Sequence, residues 1–187
     1  MSRWVALLGS INVGRRRVKG PELVAIAESV GLTNVASYQT SGNLIFETDK
    51  TGDASESATT KRDTITTSLE TALAGTLGYQ VVVYLRSIEE INALATSKPF
   101  TDEELEGTLG KVQVGALLAT PAETAAHELL ALGDEANRLK VDGAHWFWLP
   151  DEGISSSDLD LKALAKAVGS TTIRTYATIQ RLSHKFG

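Results

Sequence analysis

The chain has 187 residues, 42% of them hydrophobic, a formal net charge of -5 and no cysteine. That length suits one large domain or two small ones and buries roughly 70% of the unfolded surface, so the core needs no staple. Missing cysteine excludes disulfides, thiolate metal sites and a cysteine nucleophile. The acidic balance, with a pI near 5.2, argues against broad nucleic-acid binding.

The first apolar run, residues 4–8, reads as a buried strand. It is too short for a signal peptide's apolar region, and no other stretch approaches a membrane span, so the expectation is a cytoplasmic protein with no membrane partner. The strand leads into Gly9, Ser10, Ile11, Asn12, Val13 and Gly14, then into Arg15, Arg16, Arg17 and Lys19, the densest cationic run of the chain. Such a run is as readily a solvated loop as a site.

A helix follows, with Pro21 suited to its first position and Glu22 to its dipole. Leu23, Ile26, Ala27 and Val30 keep helical spacing until Gly31. Residues 34–39 and 44–47 read as strands joined at Ser41, Gly42 and Asn43. Residues 48–60 read as a polar mobile loop, Ile65 to Leu73 mark a second helix, and residues 81–85 a fourth strand. The order β-α-β-β-α-β predicts a ferredoxin-like sandwich over residues 1–86.

In residues 87–187 the spacing predicts a second subdomain. A helix over 88–96 and an acidic connector over 101–106 precede a strand at 111–118 and a helix at 121–131. Residues 137–141 and 146–149 bracket an Asp142-Gly143 turn. Helices over 158–168 and 173–185 close the chain, so this half is expected as β-α-β-β-α-α and the whole as α+β.

The first topology carries a functional expectation. Strands one and two run the same way and strand three pairs beside strand one, which sets Asn43 near Ser10 to Asn12, with the loop 75–78 at the same edge. Loops gathered at strand ends commonly bind ligands. Each member also has a structural reading: Gly14 and Gly42 suit positive φ, Asn12 and Asn43 cap local backbone, and Ser41 has no histidine near it in sequence. Arg174 is expected in the first turn of the last helix, where a cation is disfavoured unless an anion docks there.

These stretches resemble the bacterial domain-of-unknown-function 1697 family. Its opening motif, Leu-Leu-Arg-Gly-Ile-Asn-Val-Gly-Gly, is similar to residues 7–15, and its Ser-Gly-Asn hairpin to Tyr38 through Phe46. Its Thr-x-Arg-Asn-Trp-x-Thr tail is similar to residues 172–178, and its Gly followed by Ser-Lys-Leu to Gly153 with Ser157, Asp158 and Leu159. Gly9, Ser10, Arg15, Asp158 and Thr175 depart from the motifs, so two cations and an amide are missing from the family's polar set. The resemblance implies a ferredoxin-like first half and a smaller second half. It brings no reaction.

The leading expectation is a site for a small anionic or phosphorylated ligand, built from Asn12, Gly14, Arg15, Arg16, Arg17, Ser41, Gly42, Asn43 and Arg174. Nucleic-acid binding, with Trp146, Phe147 and Trp148 as stacking rings, is the lesser alternative, because alternation places them on a core strand with one ring partly exposed. An enzyme is the third, with little in the sequence to carry it, and a protein-interaction module is the fourth. His127, His145 and His184 show no metal-ligand spacing, no cofactor motif is present, and no nucleophile-base pair stands out.

Overall fold

A computed structural model describes residues 2–12, 17–48, 58–109 and 111–187. It is a mixed α+β structure with two four-stranded antiparallel sheets and, among the described residues, seven α-helices. By contacts the chain divides into residues 1–91 with 186–187, and residues 92–185.

In the first unit, β1 (Ser2–Leu8), β2 (Thr33–Tyr38), β3 (Asn43–Thr48) and β4 (Val83–Ser87) take the order β2-β3-β1-β4. The central strand β1 is buried from Trp4 to Leu8, which explains its unbroken apolar run. Trp4, Ala6 and Leu8 join Leu44, Phe46, Val83 and Leu85 in one core. Two helices cover it, α1 (Gly20–Ser29) through Leu23, Ile26 and Ala27, and α2 (Ala58–Leu77) through Ile65, Leu69 and Leu73. Most of the stretch expected as a mobile loop, residues 49–57, lies outside the described residues.

The expected loop at 75–78 is corrected. Gly75 lies inside α2, and the helix ends at Gly78, whose φ of 75° lets its amide bond Ala74 O at 2.9 Å. The i, i+4 series Leu69, Leu73 and Leu77 carries the helix through a single glycine, a cost of only about 1 kcal/mol.

β4 passes straight into α3 (Ile88–Thr96), where Ser87 and Glu90 form a reciprocal cap: Glu90 N donates to Ser87 Oγ at 3.2 Å and Ser87 N to Glu90 Oε2 at 2.7 Å. Thr101 and Glu104 repeat the device and turn the expected acidic connector into the one-turn helix α4 (Asp102–Leu105).

In the second unit, β5 (Gln113–Ala116), β6 (Asn137–Asp142), β7 (His145–Pro150) and β8 (Thr172–Thr175) take the order β6-β7-β5-β8. Helices α5 (Glu123–Leu130) and α6 (Leu161–Val168) supply Leu129 and Leu164 to a core with Leu117, Trp146 and Trp148. Asp160 caps α6 by accepting the Lys162 and Ala163 amides, both at 2.9 Å.

The expected final helix over 173–185 is corrected at its start. Thr172–Thr175 is strand β8, paired with β5 so that Val114 faces Arg174, and α7 runs only over Tyr176–Phe186. The second half is therefore β-α-β-β-α-β-α rather than β-α-β-β-α-α. Thr172, Ile173 and Thr175 are β-branched and fit the pleat, and the open edge of β5 gives their backbone a partner.

Candidate functional site

The end of β1 and the β2–β3 hairpin meet as their order requires. Leu7 lies opposite Asn43 and Leu8 N donates to Gly42 O at 2.8 Å. Beyond β1 the chain turns sharply, with Ser10 at φ 60° and Asn12 at φ 53°, and the hairpin turn holds Gln39 at φ 60° and Gly42 at φ 76°. Three non-glycine residues in the left-handed region thus gather at one corner, each a conformation of low intrinsic population that the surroundings must hold.

Asn12 does much of the holding. Its Nδ2 donates to Thr40 O at 2.8 Å and its Oδ1 accepts the Val18 amide at 2.6 Å, which fastens the β1–α1 loop to the hairpin turn. Arg17 Nη1 donates to Asn12 O at 3.3 Å. Asn43 is fully buried and its Nδ2 donates to Tyr38 O at 2.8 Å and Ser41 Oγ at 3.1 Å, closing the hairpin from inside. A Cβ at Gly42 would overlap Ile11, and one at Gly20 would overlap Ser37, so both glycines allow close approach.

These contacts border a cleft of about 920 Å³. Asn12, Arg17 and Ser41 line it, as do Lys19, Ser37 and Thr40. The start of α1 opens on the same cleft through Lys19 and Gly20, and no side chain caps that helix end. Exposed Arg17 and Lys19 therefore stand with the positive end of a helix dipole, beside neutral hydroxyls from the hairpin.

Of the expected residues, Asn12, Arg17 and Ser41 share the cleft, while Gly42 and Asn43 stand behind it as its frame. Gly14, Arg15 and Arg16 lie outside the described residues. Arg174 belongs to the second unit. It is not in a first helical turn but in β8, 7% exposed, with Nη1 donating to Thr172 Oγ1 and Ile173 O, both at 2.9 Å. Burial pulls its guanidinium pKa down to about 10. In a strand Arg174 meets no helix dipole for an anion to offset.

Lys19, Ser37 and Thr40 were not singled out from sequence. Lys19 belongs to the cationic run of residues 15–19, but nothing local marks Ser37 on β2 as a neighbour of the α1 start.

The Ser157-Asp158-Leu159 motif has a structural task in the second unit. Buried Asn137 donates to Asp158 Oδ1 at 2.9 Å and accepts Ser157 Oγ at 2.5 Å and Trp148 Nε1 at 3.2 Å. Asp158, at the place of the lysine in the resembling motif, is exposed and accepts a bond from buried Asn137. The expectation of one exposed ring among Trp146, Phe147 and Trp148 is also corrected: all three are at most 2% exposed, because both faces of β7 are covered. They offer no stacking surface. Among the described residues no group of acidic or histidine side chains is arranged to hold a metal ion, and no helix is long and apolar enough to cross a membrane.

The corner that carries the cleft also carries the opening and hairpin motifs, and a match to the family described as "protein of unknown function (DUF1697)" covers residues 1–147. The chain belongs to that family. In overall structure it is similar to the conserved bacterial protein SP0830 from Streptococcus pneumoniae, with a TM-score of 0.66 and 20% identity over 98% of this chain and 97% of that one. At that identity the likeness speaks for the fold alone. Among curated proteins none matches this chain.

Proposed function

We propose that the protein binds a small anionic or phosphorylated ligand in the cleft between the β1–α1 loop and the β2–β3 hairpin. The observation that carries this reading is the meeting of Arg17 and Lys19 with the start of α1 in one cleft of about 920 Å³, although the Glu22 and Leu23 amides there already donate to Lys19 O. Helix starts and arginine together favour anions, through amide dipoles and charge-assisted hydrogen bonds. The left-handed residues at the same corner support it, since such conformations gather where loops are held ready for a ligand. Arg15 and Arg16 belong to the same loop in sequence and add to its charge. Arg174, in the second unit, is not called on.

The strand order β2-β3-β1-β4 supports reading the first half as ferredoxin-like. In that arrangement the β1 end and the hairpin share a sheet edge, so the loops that line the cleft come together by topology.

The test is a low-salt thermal-shift panel of phosphate, pyrophosphate, sugar phosphates, nucleotides and short single-stranded oligonucleotides, on wild type, Arg17→Ala and Lys19→Ala. Saturable stabilisation by a small anion, weakened in both variants, is expected; at a hundred times the dissociation constant it reaches about 2.7 kcal/mol. A response to oligonucleotides alone, falling steeply with salt, would move the reading to nucleic acid. No response to any of them would end it and leave the corner as structure or as a protein-binding surface.

A further inference from the structure

We infer that the ligand of this cleft is a phosphorylated polyhydroxy compound of the sugar-phosphate class, an inference that rests on the anion-binding reading above. A volume of about 920 Å³ suits a whole small molecule and far exceeds an inorganic anion. The ligand therefore has a body as well as a charge.

Ile11, Val18 and Leu23 give the cleft apolar lining, and its polar groups fall into two sets of different chemistry. The β1–α1 segment brings Arg17 and Lys19, which donate only; the hairpin side brings Ser37, Gln39, Thr40 and Ser41, neutral groups that both donate and accept. Sugar hydroxyls are also donors and acceptors at once and answer such a wall group for group. A body that is apolar throughout would meet Ile11, Val18 and Leu23 but leave these polar groups unanswered. Among the described residues no aromatic ring lines the cleft, so a base has nothing to stack on. The Asn12 carboxamide, bonded to Val18 on one wall and Thr40 on the other, sets the distance between the charge-reading and hydroxyl-reading sides.

The experiment is calorimetric titration of the full chain with inorganic phosphate, ribose 5-phosphate, glucose 6-phosphate, n-butyl phosphate and unphosphorylated ribose. At least one sugar phosphate is expected to bind tenfold or more tighter than butyl phosphate, with ribose alone silent. Thr40→Val and Ser37→Ala should bring that ratio towards one, and Lys19→Ala should weaken both classes alike. Thermal melts of each variant separate loss of binding from loss of fold. Sugar phosphates that bind no better than butyl phosphate would overturn the polyhydroxy inference and leave the anion reading standing. Silence from every phosphate would overturn both.

Discussion

Asn12 and Thr40 lie on different loops, yet the Asn12 carboxamide donates to the Thr40 carbonyl at 2.8 Å while accepting the Val18 amide at 2.6 Å. One side chain thus does the work of a short strand pairing between segments that have none. Asparagine suits the place twice, because its backbone sits at φ 53° and its amide both donates and accepts. Asn12→Ala should cost about 1–3 kcal/mol, from the lost bonds and the left-handed backbone. Urea unfolding reads this as a lower midpoint at unchanged slope, and calorimetry should show weaker anion binding in the folded variant.

Gly42 and Gly78 allow a paired comparison, with φ of 76° and 75°. An added methyl at Gly42 overlaps Ile11, whereas at Gly78 it meets nothing within 4 Å. Gly78→Ala should therefore cost only the backbone term, roughly 1–2 kcal/mol. Gly42→Ala adds overpacking and should cost about 1–3 kcal/mol more. Equal losses in thermal denaturation would show that the Ile11 side chain can move aside.

Glu47 joins three strands, accepting Arg3 Nη2 of β1 at 2.7 Å and Asn34 Nδ2 of β2 at 2.6 Å. The hydrogen bond from Arg3, then that from Asn34, holds its carboxyl below the ordinary 4.5. With a depressed folded-state pKa, its contribution is full above the ordinary value and is lost as pH falls through the folded value. Glu47→Gln should lower the urea midpoint at neutral pH. It should also flatten the decline seen as pH falls below the ordinary glutamate range, relative to wild type. A decline as steep as in wild type would exclude Glu47 as a contributor.

Gly115 on β5 lies against the indole of Trp146, into which an added Cβ would project. Trp146 cannot swing away freely, since its Nε1 donates to Thr171 Oγ1 at 2.9 Å and Thr171 in turn donates to Ala116 O at 2.9 Å. Gly115→Ala should destabilise by about 1–3 kcal/mol or more and change the near-ultraviolet circular dichroism of the tryptophans. An unchanged spectrum and melt would mean that β5 and β7 can separate to admit a methyl.

Much of the architecture was legible because its signals are local. Residues 4–8 are apolar without interruption since β1 is covered on both faces, and Asp142-Gly143 marks a turn by its chemistry alone. β8 was not legible. Four residues with a buried arginine at their centre run into a helix with no breaker between Thr175 and Tyr176, and only the pairing with β5 makes them a strand. Asn12, Ser41 and Asn43 were found because turn residues stand out, and the order of strands brings their loops together. Ser37 escaped notice because its place opposite Gly20 follows from how α1 crosses β2, a tertiary relation with no sequence period.

The central position of β1 has a consequence for how the protein is made. Within its sheet it is made before the other strands, yet its neighbours are β3, ending at Thr48, and β4, ending at Ser87. Its second edge therefore stays open for roughly 80 further residues of synthesis, about 4–16 s at 5–20 residues per second. β5 likewise waits for β8. In each sheet an inner strand is completed only when the last strand of that sheet is made, so its open edge is exposed to misassociation during translation, and a chaperone that shelters nascent apolar segments would act on residues 4–8.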